Sequence, residues 1–512
     1  MKHTRWLAPT LAIVAVLLVA ARVAWVCDDA YITFRTIDHW QLGYGPVWNV
    51  DERVQTYTHP IWMVLLTGLS ALTGELYFTA IAAGLALSAV ALAALIRQPD
   101  THLTWPVVLA LGASKAWSEF ATSGLENALS YAIIAGAVVT LGRPVLTPRR
   151  QLLGALLLGI APLSRPDLAL VVLPPALLLV ATTRGAWPIL AAGTLPGLAW
   201  TTFATVYYGS PLPNTALAKL GHAPLSQNVG QGLLYLRNSL ALDPSLLPVC
   251  GIGAIVALLH ARTRPVHAAF MAGAVTYIAY TVSIGGDFMS GRFLAVPLLV
   301  AVAVLLATGR RWVGIVGIAA VGLSLTSSAG PLRTSTAFHV PDWDDAGIAD
   351  ERGWYFPHLG LAPILDEQRD PPKPGRNRRA GEGRVRMGKA IGMDAYMAGP
   401  HVHLVDAYAL CDPLLSRIPS DETLGRPGHW IRPVPRGYLD TLKSGENRLE
   451  DPEVAELWTD VALATRAPLL APGRAAAIWR LMWSGRTAPI TGVSPTDRPP
   501  RAPSEQPNHR SG

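Results

Sequence analysis

Apolar runs of near-membrane length recur along the chain as far as residue 328 and then stop. Runs at 6–26, 77–95, 103–119, 125–141, 151–163, 167–183, 186–207, 246–261, 266–284, 292–308 and 312–328 approach the roughly twenty residues that a bilayer-crossing helix needs, and eleven spans are expected from them. A further apolar run, 61–73, follows Pro60 and is too short to span. It reads as a juxtamembrane or re-entrant helix. From 329 to 486 the pattern becomes mixed, with alternating stretches such as HVHLVDAYAL (401–410), which predicts a separate α/β domain. Within it, 366–384 (DEQRDPPKPGRNRRAGEGR) is rich in Pro, Gly and basic residues and reads as a loop open to anionic lipid, to phosphate or simply to solvent. Residues 487–512 carry the composition of a disordered tail.

Composition agrees with a polytopic α-helical membrane protein. Of 512 residues 51% are hydrophobic and 15% charged, and the mean hydropathy is +0.31, too apolar for an ordinary soluble enzyme. The net charge of +7 does not point to nucleic acid, because the basic residues sit in short loops between apolar runs. Cys27, Cys250 and Cys411 form no C-x-x-C pair, so neither a disulfide framework nor a metal site is indicated. Cys27 follows Lys2, Arg5 and an apolar run, as a lipoprotein cysteine does, but bulky Trp25 and Val26 before it argue for a retained first span.

The loop charges set the topology. With 61–73 kept from spanning, Lys2, Arg5, Arg97, Arg143, Arg149, Arg150, Arg184, Arg262, Arg264, Arg310 and Arg311 all fall on one side, which the positive-inside rule makes cytoplasmic. The N-terminus is then inside and residues 329–486 outside. The same assignment gathers DDAYITFR (28–35), SGLEN (123–127), SRPD (164–167), YYGSPLPNTALAK (207–219) and GGDFMSGRF (285–293) on the outer face.

That face holds the candidate chemistry. The segment 27–60 opens with Asp28 and Asp29 where the first apolar run ends, a position where lipid and water together tune a carboxylate. Around it stand Arg35, His59, Arg165, Lys219 and Arg292 as cations, and Glu126, Asp167 and Asp287 as acids. No nucleophile elbow, phosphate-binding P-loop or H-E-x-x-H zinc motif occurs. A carboxylate that takes a proton from an incoming hydroxyl, with cations that hold a departing phosphate, suits displacement at a carbon bearing a phosphate. Lipid-linked sugars pose that problem outside a membrane. Each group also has a structural reading: Arg165 with Asp167 as a pair ending a helix hairpin, Asp287 with Arg292 as mutual partners, Glu126 as a helix-start carboxylate, Lys219 as a snorkelling lysine. Tyr44, Trp48 and Tyr57 give the segment an aromatic lining, as an interfacial belt or a sugar platform.

DDAYITFR, GYGPVWNVDERVQTYTHPIW (43–62), GGDFMSGRFLAVP (285–297), HVHLVDAYALCDPLLSRIP (401–419) and GHWIRPVPRGYL (428–439), in this order, resemble the terminal β-(1→2)-arabinofuranosyltransferase family of mycobacterial cell-wall synthesis, within the polytopic GT-C glycosyltransferases. The resemblance implies a decaprenyl-phosphate-arabinofuranose donor, an arabinan acceptor in the cell envelope, and a site on the outer face of the bacterial cytoplasmic membrane. It implies Asp29 as first choice and Asp28 as second for the catalytic carboxylate. Arg35, His59, Arg165, Lys219, Asp287 and Arg292 are then expected around the donor. No cofactor and no metal are expected. A β-linked donor giving a β-linked product retains configuration, which either a double displacement or attack from the face the phosphate leaves would achieve. A transporter or flippase of lipid-linked sugars shares the many spans but should show paired half-repeats and mid-membrane charges; here the charges cluster at helix ends. A scaffold displaying the outer domain leaves the first-loop carboxylates without a role.

Overall fold

The computed structural model describes residues 4–98, 104–183, 185–219, 224–334, 346–376, 384–388, 391–420, 425–426 and 429–483. The expected tail 487–512, the 377–383 part of the basic loop, and Lys2 and Arg184 of the charge pattern lie outside the described residues. The fold is mostly helical. The first helices are α1 (Thr4–Arg22), α2 (Asp28–Gln41), α3 (Pro60–Thr73) and α4 (Tyr77–Leu95). Two short helices, α5 (Leu109–Ala113) and α6 (Lys115–Phe120), precede α7 (Asn127–Leu141), α8 (Pro148–Ser164), α9 (Ala169–Thr182) and α10 (Trp187–Tyr208). After α11 (Asn214–Lys219) come α12 (Leu225–Leu242), α13 (Leu246–Leu259), α14 (Pro265–Ser283), α15 (Ala295–Leu306) and α16 (Val313–Ser324).

These helices begin and end where backbone chemistry directs. Proline stands in the first turn of α3, α8, α10 and α14, where its missing N–H is no loss. Left-handed Gly74 and Gly209 close α3 and α10. In the bundle α4 lies against α7, α8 against both α7 and α10, and α9 against α14. Gly159 of α8 meets Gly193 of α10 so closely that a Cβ there would collide with the Gly193 carbonyl, the small-residue contact that lets membrane helices pack.

Three of the eleven expected runs, Tyr77–Leu95, Trp187–Tyr208 and Pro265–Ser283, form helices long and apolar enough to cross a membrane alone. The helices α12 and α13 form a pair bent by 107° that passes the same test together. Only its second half was expected, because Gln227, Asn228, Gln231, Arg237 and Asn238 interrupt the apolar pattern of the first. Shorter apolar helices cover 6–22, 127–141, 166–182, 292–306 and 313–324. The run expected over 103–119 is not continuous. It breaks at Ser114, whose extended backbone and Oγ cap the Trp117 N–H of α6, while the hydroxyl donates to buried Asp243 at 2.5 Å. The apolar run after Pro60 is the 14-residue α3, about 21 Å long and short of the hydrocarbon core.

The expected first outer loop is a correction: its first half is a buried helix, α2. Ala30, Tyr31, Phe34 and Ile37 of one face enter the core of the bundle, and Ile32 enters a second core that belongs to the C-terminal region. That region is less of an α/β domain than its alternating stretches predicted. Helices α17 (Glu351–Leu359) and α18 (Leu361–Asp366) lie on the bundle, with Val26 N–H on Leu359 O and Leu361 N–H on Ala24 O. Strand β1 (Arg384–Gly388) pairs in parallel with β2 (Val402–Asp406), in register from Arg384 opposite Val402 to Gly388 opposite Asp406. Helix α19 (Met393–Ala398) joins them. A two-residue antiparallel pair, β3 (Gly425–Arg426) with β4 (His429–Trp430), follows. Helices α20 (Tyr438–Ser444), α21 (Pro452–Thr465) and α22 (Arg474–Trp483) complete the described chain.

Candidate active site

Helix α2 places the two aspartates in its first turn, at the positive end of the helix dipole. Its preceding residue, Cys27, is fully buried and donates its N–H to Ser123 O at 2.9 Å, which ties the helix start to the 123–127 motif. Successive residues on a helix point about 100° apart, and the two carboxylates differ accordingly. Asp28 Oδ1 accepts the Met393 N–H at the start of α19, at 2.9 Å, and Gly392 before it admits no Cβ against the Asp28 carbonyl. Burial pushes the Asp28 carboxyl up to about 6, against the pull of that N–H. Asp29 is half-buried and within electrostatic reach of Arg292. Its charge adds to burial in pushing the Cys27 thiol up.

Next to α2 a buried network converges on Glu126, at the end of the connection into α7. His59 Nδ1 stands 3.0 Å from Glu126 Oε2, Arg292 Nη2 3.1 Å and Arg165 Nε 3.7 Å from Glu126 Oε1. Burial alone would raise this carboxyl, but Arg292 and His59 hold it well below the ordinary range. Arg165 is also gripped by both oxygens of Asp167, at 3.1 and 2.6 Å, and lies over the Phe293 ring at 4.4 Å. Tyr277 donates to the same Asp167 at 3.0 Å. His59 Nε2 faces Thr33 Oγ1 at 2.9 Å, and Thr33 follows Asp29 by four residues, one turn along the same face of α2. His59, Arg165, Arg292 and Asp29 thus share one neighbourhood at the ends of five helices.

The other expected site residues are placed differently. Arg35 is buried and spends its guanidinium on backbone carbonyls: Trp48 O at 2.7 Å, Gly399 O at 3.1 Å, Val402 O at 2.9 Å, and Ala395 O. It lies over Trp48, itself fully buried. Asp287 stands 3.8 Å from Arg292, farther than Glu126 does, so the two residues are not each other's main partner. Lys219 is exposed at the end of the six-residue α11. Tyr57 is buried, hydroxyl to hydroxyl with Tyr208 at 2.7 Å and tilted against the rings of Trp200 and His59. Tyr44 is exposed beside His39. The aromatic lining therefore divides between core and surface.

An apolar groove of about 360 Å³ runs up to this neighbourhood, lined by Pro60, Ile61 and Val64 of α3, Leu163 of α8, and Pro196, Ala199, Trp200 and Phe203 of α10. Pro60 and Leu163 of its lining adjoin the His59 and Arg165 positions along the chain, Pro60 directly and Leu163 two residues ahead. Among the described residues no group of acids, histidines and cysteines is arranged to hold a metal ion.

Two curated proteins match over most of this length. The terminal β-(1→2)-arabinofuranosyltransferase of Mycobacterium tuberculosis is 30% identical over 404 residues, 66% of this chain and 63% of that protein. The enzyme of the same name from Corynebacterium glutamicum is 29% identical over 387 residues, 65% of this chain and 55% of its own. The chain is a homologue of both enzymes. It spans less than two thirds of the length of either relative. No family model matches the sequence, and no solved structure matches it.

Within this homologue the sequence pattern named most of the groups around Asp29 but missed the one that organises them. Glu126 reads from sequence as a helix-start carboxylate. The missed signal was that SGLEN, SRPD and GGDFMSGRF bring Glu126, Arg165 and Arg292 to helix ends, where one buried carboxylate can serve two arginines.

Proposed function

We propose that the protein is a membrane glycosyltransferase of GT-C type that transfers arabinofuranose from a polyprenyl-phosphate donor to an arabinan-like glycan of the cell envelope. The observation that carries the reading is the meeting of a half-buried carboxylate, Asp29, with the buried cluster of His59, Arg165 and Arg292 around Glu126, beside an apolar groove whose Pro60 and Leu163 adjoin that cluster along the chain. The polyprenyl chain takes the groove, and the phosphate lies at the cations. The buried Nε of Arg292 has no hydrogen-bond acceptor among the described residues, and a phosphate oxygen would complete its shell. Asp29 takes the proton of the incoming sugar hydroxyl. The name that both relatives bear, terminal β-(1→2)-arabinofuranosyltransferase, supports arabinofuranose as the sugar.

In this reading eleven segments cross the membrane, with the N-terminus in the cytoplasm and residues 329–486 on the extracytoplasmic face of the bacterial cytoplasmic membrane. Asp28, held by the Met393 N–H, supports the geometry of Asp29 and is not a second nucleophile. Attack from the face that the phosphate leaves is then the route to retention. Membranes containing the protein, incubated with a panel of polyprenyl-phosphate sugars, are expected to extend an arabinan acceptor from the arabinofuranosyl donor alone, with a β-(1→2) linkage. Transfer of a different sugar, or none from any lipid donor, contradicts the proposal.

A further inference from the structure

The last described helix, α22, is apolar on two sides. Arg474, Ala477 and Ile478 are buried where the helix packs on α21. The opposite positions Ala475, Ala476, Trp479 and Trp483 are exposed; 475, 479 and 483 repeat at four-residue intervals and 476 lies three before 479, so they line one face. Trp479 and Trp483 are 65% and 67% exposed, with ring centroids 5.5 Å apart, and Leu470 just ahead of the helix is 96% exposed. Arg480, the charge within this turn, is drawn back to Asp460 of α21, Nε to Oδ2 at 2.9 Å. A helix that faces water carries polar residues on its outer side. This one presents a pair of tryptophans.

Its position says what covers them. Arg474 donates to Val206 O at 2.7 Å and Tyr207 O at 3.1 Å, so a buried cation caps the C-terminal carbonyls of α10. Gly209 at the end of α10 lies against Ile478 of α22 and Ala464 of α21. Helix α10 is long and apolar enough to cross a membrane, and its Leu195, Leu198, Phe203 and Val206 are exposed. Helix α22 therefore sits at the level of the last turn of a long apolar helix whose own apolar surface is exposed. Paired aromatics at that level are the signature of a membrane–water interface, and a helix with such a face lies in the interface plane.

We propose that α22 is an in-plane anchor seated in the phospholipid headgroup layer beside the C-terminal end of α10, with Trp479 and Trp483 at the acyl-chain boundary. Arg53 ties the moored end back to the site segment, donating to Tyr207 O at 3.1 Å and to Ala467 O. The anchor thus fixes the height of the C-terminal region over the apolar groove. The inference rests on the membrane reading of α10 and is independent of which sugar is transferred.

The test uses the full-length chain reconstituted in phosphatidylcholine and phosphatidylglycerol vesicles. Cys27, Cys250 and Cys411 are buried and free, so spin labels go to introduced sites: Ala476→Cys, which keeps both tryptophans, Trp483→Cys, and Glu453→Cys at the exposed start of α21. Collision with oxygen and with a water-soluble nickel chelate then reports depth. Labels at 476 and 483 are expected to show nickel accessibility several-fold below that at 453 together with higher oxygen accessibility. Nickel accessibility equal to that at 453 would place α22 in water, and low accessibility to both reagents would place it against protein; either result overturns the proposal.

Discussion

Two arginines and a histidine converge on one buried carboxylate, which makes Glu126 the residue on which the site's electrostatics depend. Replacing it by Gln keeps the shape and removes the carboxylate that His59 and Arg292 share, leaving Arg165 on Asp167 and Arg292 with only the more distant Asp287. Breaking a buried ionic network in this way costs about 3–5 kcal/mol, so Glu126→Gln should lower the melting temperature clearly and raise the donor KM. An unchanged Tm and KM would show that the arginines are held elsewhere. Asp28 makes a separate prediction. Its carboxyl, pushed up to about 6 from an ordinary value of 3.8, binds its proton more tightly folded than unfolded, so its contribution to stability is full at acid pH and is lost as pH rises through that window. Asp28→Asn keeps an acceptor for the Met393 N–H and removes the loss, and its Tm relative to the parent should climb between about pH 4 and 7. A flat difference across that range contradicts it. From sequence the charged residue types and their common side were legible. The pairing of Arg165 with Asp167 was legible as well; the convergence on Glu126 was not, because it depends on contacts 39 to 166 residues apart along the chain, Arg165 with Glu126 and Arg292 with Glu126.

The element on which the site is built is α2, and it is braced on one face along its length. Asp28 receives the Met393 N–H, Tyr31 packs on Tyr396 with centroids 5.5 Å apart, Arg35 holds three carbonyls of residues 395–402, and Asp38 pairs with both Nη atoms of Arg376 at 2.7 and 2.5 Å. Positions 28, 31, 35 and 38 are one stripe of a helix. The C-terminal region therefore positions Asp29, and Arg35 acts through the backbone of that region. Arg35→Lys keeps the charge but lacks the fork needed to reach several carbonyls; kcat should fall with donor KM nearly unchanged. A rise in donor KM alone would return Arg35 to the donor. A second link joins the 44–59 segment to β2: His403 Nδ1 to Asp51 at 2.8 Å, with Arg466 on Asp51 at 2.9 Å and Glu52 at 3.0 Å. Burial opposes the charged imidazole, but Glu52 and Asp51 raise it above its ordinary range. This contribution is full below the ordinary histidine value and fades as pH rises through the raised one. A loss of Tm on the alkaline side, absent in His403→Gln, is the expected reading; an identical alkaline profile in both would remove the link. The sequence hid α2 because the charged and polar residues of 28–41 mask its period, although Ala30, Tyr31, Phe34 and Ile37 already stand at helical spacing.

Over the whole molecule, hydropathy located most of the apolar helices. It did not show where they break, since Ser114 interrupts a run by a hydrogen bond to Asp243, more than a hundred residues away, and the polar residues of α12 conceal half of a bent pair. The membrane orientation rests on loop charge, and membrane-impermeant labelling of single cysteines at positions 97 and 287 should reach them from opposite sides; labelling from the same side would mean that α3 spans. Bundle and C-terminal region meet at α2, which contributes side chains to both cores and carries Asp29, the carboxylate proposed to act in transfer. The most direct test is sugar transfer by Asp29→Asn in reconstituted membranes, with a polyprenyl-phosphate-arabinofuranose donor and an arabinan acceptor. Transfer should be lost by several orders of magnitude while expression, insertion and Tm stay close to the parent, because the amide keeps the shape of the side chain and removes only its basicity. Transfer at the parental rate by that variant would contradict the assignment.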